Sequence, residues 1–370
     1  MGDHTNIIDQ NRKRGRTFAG LRKPTRVMLV DDSLTVRSVL SRLIDGETDL
    51  EVVAKSSSAE LALAELGRTP ADVILLDLEM PGMGGLGALP KILAMHKDTQ
   101  VLVVSSLTED GAEHTLKALS MGAADTMLKP RSGGFNAQYC EALFAKIRAL
   151  GPNDRGSAGA PGSRYNPGHT ASAALARPEL IAIGASTGGI HAMCQLLKHL
   201  SPSIDVPILV TQHLPGSFME VFTKQLESAS SRKAVIARTG MTIAGGTIYV
   251  APGEGHLNVR RNSAGLVAKI SGEDVPSCCM PSVDPMLASV AEATGGKALG
   301  IILSGMGKDG INGACSLAQA GGMIMVQDQE SSAVWGMPRA AAERGIASAI
   351  LKPTDLGAKI SSMFGASSWK

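Results

Sequence analysis

The stretch VILLDLEMPGMGGLGALPKILAMH, residues 73–96, contains one complete strand–turn–helix unit. Its opening VILLD is a short apolar run without alternation, the pattern of a strand buried on both faces. A glycine-rich turn follows, then LPKILAMH with helical spacing. The same succession recurs on both sides. RVMLV (26–30) precedes a helix from about Ser33 to Ile44, and EVVAK (51–55) precedes SAELALAELG. VLVVSS (101–106) precedes a helix ending at Gly122, and DTMLK (125–129) precedes one through Leu150. Five such repeats predict a small doubly wound parallel sheet.

A second α/β block follows GPNDRGSAGAPGSRYNPGHTASAALAR (151–177), which has the Gly, Pro and Ser content of a flexible linker. The block opens with ELIAIGAS (179–186) and a helix near Gly188–Leu200, then PILVTQH (207–213) and another helix. TIYVAPG (247–253), HLNVRR (256–261) and LVAKIS (266–271) read as a locally antiparallel insertion. SVDPMLASVAEA, ALGIILSGMG, GMIMVQ and a C-terminal helix then resume the parallel pattern. The expected organisation is a basic disordered arm at 1–25, a first α/β domain at 26–149, a linker at 150–177 and a second α/β domain at 178–366.

Composition agrees with this division. At roughly 150 residues per domain, 370 residues suggest two domains and a linker. An apolar share of 44% with 19% charged residues is globular and excludes a disordered chain. Aromatics are 3% against 42 glycines, so Val, Leu, Ile, Ala and Met must build the core, as suits parallel sheets under helices. No apolar run approaches the ~20 residues of a membrane span, and residues 1–18 lack a signal-peptide core. A cytoplasmic protein without membrane insertion is expected.

The five cysteines are scattered without C-x-x-C, so neither metal ligation nor a disulfide framework is expected of them. Charge is uneven: residues 1–26 carry seven Lys/Arg against two Asp (+5), while residues 27–130 carry eight against sixteen acidic residues (−8). The remaining 240 residues are +5 by difference from the total of +2. The basic arm has no recognition-helix module beside it, so no specific nucleic-acid partner is expected.

In a doubly wound sheet, function gathers at the C-terminal strand ends. Those ends carry Asp31 and Asp32 after the first strand, Asp77 after the third, Ser105 after the fourth and Lys129 after the fifth. Converging carboxylates repel one another unless a cation sits among them, and all-oxygen ligation suits Mg²⁺. A carboxylate such as Asp77 can attack a phosphoryl donor, with Lys129 and the Ser105 hydroxyl holding phosphoryl oxygens. Single aspartates at strand ends are usually caps or turn formers, but that explains one residue and not the set. In this order VDDS, DLEMPGMGG, VVSS and LKP resemble the receiver domain of two-component response regulators. The resemblance implies that Asp77 is the phosphoacceptor, that Asp32 and the backbone of Glu79 help Asp31 place Mg²⁺, and that a histidine kinase is the phosphodonor.

In the second block, IAIGASTGGI places Ser186 on a tight turn between a buried strand and a helix, whose N-terminus favours developing negative charge. A serine nucleophile needs a base, and His213 ends the next apolar strand. An imidazole base needs a carboxylate to fix its tautomer, and Asp309 follows another buried strand. Separately, each has an ordinary reading as cap, core histidine or turn residue. Together they stand at one sheet edge. The turn is neither a P-loop nor G-x-S-x-G, and the order Ser–His–Asp differs from that of α/β-hydrolases.

IGASTGG, TQHLPGSF, YVAPG, PSVDPM, SGMGKDG and WGMPRA, in this order over about residues 179–350, resemble the catalytic domain of the chemotaxis protein-glutamate methylesterases. With the receiver, the resemblance spans nearly the whole chain. It implies an α/β fold class of two doubly wound domains, a flavodoxin-like receiver and a Rossmann-like methylesterase domain with an antiparallel insertion. The implied activity is hydrolysis of γ-glutamyl methyl esters on the cytoplasmic helices of methyl-accepting chemoreceptors, with deamidation of particular glutamines. Ser186 is then the nucleophile, His213 the base and later acid, and Asp309 the orienting carboxylate. The Met306 backbone N–H helps form the oxyanion hole, and the esterase site needs no cofactor.

The sequence departs from the family where DVPSCCM precedes PSVD, since an Arg and often a His are expected there. Ser304 and Trp335 replace the commoner Thr and Phe. The mechanism expected is a receiver packed against the triad face until Asp77 is phosphorylated. The competing reading is a catalytically silent regulator that binds a chemosensory kinase or receptor.

Overall fold

The computed structural model describes residues 23–105, 109–130, 134–152 and 177–365. The expected arm up to residue 22 and the linker between 153 and 176 lie outside the described residues.

Among the described residues the first domain holds β1 (Thr25–Val30), β2 (Leu50–Ser56), β3 (Val73–Asp77), β4 (Gln100–Ser105) and β5 (Asp125–Leu128). They form a sheet of order β2–β1–β3–β4–β5 in which every pair is parallel. Every residue of β3 is buried, as expected of a strand covered on both faces. Helices α1 (Leu34–Ile44), α2 (Ala59–Leu66), α3 (Gly84–Met95), α4 (Glu109–Met121) and α5 (Ala137–Leu150) supply those covers. Ser33 starts α1 by accepting the Val36 N–H, and Asn136 starts α5 by accepting that of Tyr139. The strand order reverses between β1 and β3, so Asp31 and Asp77 flank the switch-point crevice.

The second domain is built on a parallel sheet of β14 (Ala349–Leu351), β13 (Met323–Gln327), β12 (Ala298–Ile302), β6 (Leu180–Ala185), β7 (Ile208–Gln212), β9 (Thr247–Val250) and β8 (Lys233–Ile236), in that spatial order. Its helices are α6 (Gly189–Lys198), α7 (Met219–Ser230), α8 (Val283–Thr294), α9 (Ile311–Gln319), α10 (Met337–Glu343) and α11 (Pro353–Met363). Here the order reverses around β6, which lies between β7 and β12. Ser186, His213 and Asp309 follow these three neighbouring strands.

One expectation is corrected. TIYV is not part of the antiparallel insertion: β9 runs parallel between β7 and β8 in the main sheet. Ile248 and Val250 join the core on one face, and Tyr249 joins the core on the other. A strand with both faces buried belongs inside a sheet. The insertion is the hairpin of β10 (His256–Asn262) and β11 (Gly265–Ser271), whose residues pair antiparallel from His256–Ser271 to Asn262–Gly265.

The two domains are packed together. Leu116, Leu119 and Ala123 of the first share a core cluster with Ile190, Met193, Met219 and Phe222 of the second. The Gly188 N–H donates to the Ala124 carbonyl at 2.6 Å, and Thr187 Oγ1 donates to the Asp125 carboxylate. A His191 ring nitrogen lies 2.8 Å from the Ser120 carbonyl. No helix among the described residues is long and apolar enough to cross a membrane.

Candidate active sites

At the crevice of the first domain, carboxylate oxygens of Asp31, Asp32 and Asp77 all lie within 4.8 Å of one another. Asp31 and Asp77 are buried and Asp32 is exposed. The Lys129 ammonium is 2.6 Å from Asp77 and 3.4 Å from Asp31. The Glu79 N–H donates to Asp77 Oδ1 at 3.0 Å, so the Glu79 backbone touches the Asp77 carboxylate. Burial pushes the Asp77 carboxyl above its ordinary range despite Lys129 and the Glu79 N–H. Lys129 feels the same burial, which favours its neutral form, yet the hydrogen bond and charge of Asp77 hold its pKa up. β3 and β4 pair Asp77 with Val104, setting Ser105 one residue further on. The Ser105 hydroxyl is buried without a hydrogen-bond partner. Three hard oxygen ligands that repel one another, with a buried hydroxyl unsatisfied beside them, fit Mg²⁺ and a phosphoryl group.

In the second domain, His213 Nδ1 is 3.1 Å from Ser186 Oγ, and His213 Nε2 is 2.8 Å from Asp309 Oδ2. Nδ1 therefore serves the hydroxyl and Nε2 the carboxylate. Two of the groups that hold Asp309 were not singled out from sequence. Ser282 Oγ donates to its Oδ1 at 2.6 Å, and the Val283 N–H donates to its Oδ2 at 2.7 Å. Both lie in PSVDPM at the start of α8, where the first N–H groups of a helix lack internal partners. Burial raises the Asp309 pKa, but the hydrogen bonds from His213, Ser282 and Val283 outweigh it and hold the carboxyl down at about 2. Burial likewise lowers the His213 pKa, but Asp309, followed by Cys279, outweighs it and raises the imidazole to about 9.

Close approach of backbones shapes this edge. Gly188 has φ 78°, and a Cβ there would lie 2.6 Å from Ser304 Oγ. A Cβ on Gly305 would lie 2.9 Å from that of Ser186, so only glycine lets the SGMG loop pass the serine. Ser304 Oγ donates to the Thr187 carbonyl and receives the Val334 N–H. Two residues on, Met306 is exposed, and its backbone N–H donates no hydrogen bond among the described residues.

The first domain covers this site. Leu119, Ala123, Ala124 and Asp125 face Ser186, Gly188, Gln212 and His213 across a gap of about 10 Å³. That is room for about one water molecule. A larger interdomain cleft of about 870 Å³ opens alongside, between Lys97, Asp98 and Gln100 and the segments of Met306 and Trp335.

Acidic strand ends with a lysine in one domain, and a hydrogen-bonded Ser–His–Asp chain in the other, define a receiver joined to a serine-type hydrolase. Comparison with known proteins reaches the same class. Residues 181–360 match the family described as CheB methylesterase, and residues 27–134 match the response regulator receiver domain. A protein-glutamate methylesterase/protein-glutamine glutaminase of Azospirillum brasilense is 37% identical over 90% of this chain and 91% of its own length. One of Paramagnetospirillum magneticum is 40% identical over 88% of this chain and 92% of its own. The crystal structure of the Thermotoga maritima CheB methylesterase catalytic domain is 30% identical, with a TM-score of 0.49, over 51% of this chain and 100% of that one. The chain belongs to the protein-glutamate methylesterase/protein-glutamine glutaminase family.

Proposed function

We propose that this protein hydrolyses glutamyl methyl esters on the cytoplasmic helices of methyl-accepting chemoreceptors, and deamidates particular glutamines there, when a chemotaxis histidine kinase has phosphorylated Asp77. The observation that carries the chemistry is the continuous hydrogen-bonded chain from Ser186 through His213 to Asp309. Ser186 Oγ attacks the ester carbon as its proton passes to His213 Nδ1. The imidazolium keeps its Nε2–H on Asp309. The Met306 N–H stabilises the oxyanion, a donor of a kind whose loss typically costs ~10²–10³-fold. Nδ1–H then protonates the leaving methoxy oxygen, which departs as methanol, or in deamidation the amide nitrogen, which departs as ammonia. A water molecule repeats the sequence on the acyl-enzyme, giving up its proton to Nδ1 and freeing the glutamate and Ser186.

Asp77 is the phosphoacceptor in this reading, with Asp31, Asp32 and the Glu79 backbone holding Mg²⁺. When bound, Mg²⁺ offsets the charge of the carboxylates and of the incoming phosphoryl oxygens. Lys129 and Ser105 hold the phosphoryl group on the acceptor. The gap of about 10 Å³ over Ser186 supports a closed resting state, because no receptor helix fits there. Phosphorylation draws Ser105 toward Asp77 and shifts the population toward an open arrangement.

Mass spectrometry of methylated receptor peptides tests the coupling. Acetyl phosphate with Mg²⁺ should speed ester loss in the wild type, while Asp77→Asn keeps a low rate that ignores the donor. Equal stimulation in both proteins would remove Asp77 from the control.

A further inference from the structure

The Cys278-Cys279 pair lies just before Ser282, and the fold carries one of these thiols into the hydrolytic site. Cys279 Sγ, a ring nitrogen of His213 and a carboxylate oxygen of Asp309 all lie within 4.8 Å of one another. In chain order the residues stand 66 and 30 positions apart, so no ligand spacing in the sequence announces the cluster. Around one tetrahedral Zn²⁺, with bonds of about 2.0–2.3 Å, ligand atoms lie about 3.4–3.7 Å apart. Side-chain shifts on the order of 1 Å reach that geometry. Among the described residues the thiol's hydrogen bond to the Ser277 carbonyl is a weak one, at 3.5 Å. Cys279 and His213 are half-buried, so solvent reaches the cluster, whereas Cys278 is exposed and stands outside it.

We propose that Cys279, His213 and Asp309 form an inhibitory site for a soft divalent cation of the Zn²⁺ class, with water completing the coordination. Thiolate and imidazole select Zn²⁺ over Mg²⁺, whereas the all-oxygen cluster of the receiver has the opposite preference. The chain thus carries two cation sites of different hardness, one serving phosphorylation and one opposing hydrolysis. Binding releases the thiol proton to solvent, and a second proton if the imidazole starts charged; no electron is transferred. Either ring nitrogen gives the same outcome. Metal on Nδ1 occupies the lone pair that receives the Ser186 proton. Metal on Nε2 leaves the imidazole's one proton on Nδ1, which can then only donate to Ser186. The inhibition rests on the esterase reading above, while the binding does not.

The test is Zn²⁺ titration of the full-length protein against a chromophoric chelator, together with Cd²⁺ titration read through the thiolate–metal absorption band. Loss of an outer-shell partner alone costs about 10–100-fold in metal affinity, so loss of the thiolate should cost more than about 100-fold. Cys279→Ser and Cys279→Ala should both show this loss and lack the absorption band, and Cys278→Ser should show neither effect. Zn²⁺ should stop ester hydrolysis in the wild type, a chelator should restore it, and each Cys279 variant should resist Zn²⁺ relative to its own metal-free rate. Equal affinity in wild type and Cys279 variants, or hydrolysis unaffected once the Cys279-dependent site is filled, overturns the proposal. Cys279-dependent binding by a protein that never hydrolyses esters supports the metal site and counts against the esterase reading.

Discussion

Replacing Asp309 by asparagine tests the electrostatics of the triad. The carboxylate lies 2.8 Å from His213 Nε2 and is the strongest influence opposing burial of the imidazole. Together with Cys279 it raises the histidine from 6.5 to about 9. At about 1.4 kcal/mol per tenfold change, that difference favours the imidazolium by roughly 3 kcal/mol. An asparagine in the same place keeps the shape but loses the charge and offers an N–H to Ser282 or Val283, which are themselves donors. Loss of the corresponding carboxylate in serine hydrolases drops turnover by about 10⁴, and a loss of ~10³–10⁴-fold is expected here. The assay is ester hydrolysis by the acetyl phosphate-activated protein across pH. In the wild type kcat/KM should rise with pH through the His213 titration, toward about 9. In Asp309→Asn the inflection should fall toward or below 6.5, because burial is then opposed only by Cys279. An Asn variant within tenfold of wild type, or one with an unmoved inflection, refutes the reasoning.

The same pair should be visible in stability. His213, raised from 6.5 to about 9, stabilises the fold fully below pH 6.5 and ceases to do so as pH rises through about 9. Asp309, lowered from 3.8 to about 2, contributes above pH 3.8 and loses that contribution as pH falls through about 2. The Tm difference between wild type and Asp309→Asn should therefore shrink on going from pH 6.5 to pH 9. Asp125→Ala removes the carboxylate that Thr187 reaches across the domain contact. Hydrogen bonds to charged groups contribute about 1.5–3 kcal/mol, so activity without phosphorylation should rise about tenfold or more; an unchanged basal rate would count against closure through this contact. Gly188→Ala places a Cβ on a left-handed residue against Ser304 and Ala333. It should cost about 1–3 kcal/mol in denaturant unfolding and slow hydrolysis by moving the Ser186 turn.

The candidate residues at strand ends were the most legible in sequence. A parallel strand ends at the functional edge, so Asp31, Asp77, Ser186, His213 and Asp309 could be read from where the apolar runs stop. Partnership between strands was less legible. TIYV has the same alternation whether it joins a hairpin or an interior sheet position, and only its burial on both sides decides between them. β8 is four residues long with one residue fully buried, too weak a signal beside its neighbours. The support of Asp309 by Ser282 and Val283 depends on α8 starting beneath the β12 loop, a tertiary juxtaposition. The place of Cys279 was illegible for the same reason: scattered cysteines give no sign that the fold brings one beside a histidine and a carboxylate. A receiver packed against the triad face was expected, but the segment of Ala123, Ala124 and Asp125 that covers Ser186 carries no motif of its own.

The central claim is that Ser186 performs phosphorylation-controlled ester hydrolysis. Methanol release from a methylated chemoreceptor cytoplasmic fragment, with and without acetyl phosphate and Mg²⁺, measures it directly in wild type and Ser186→Ala. Release that is stimulated by the donor and abolished in a folded Ser186→Ala is the result predicted. No release from several receptors despite phosphorylation of Asp77, or undiminished release by Ser186→Ala, would contradict it.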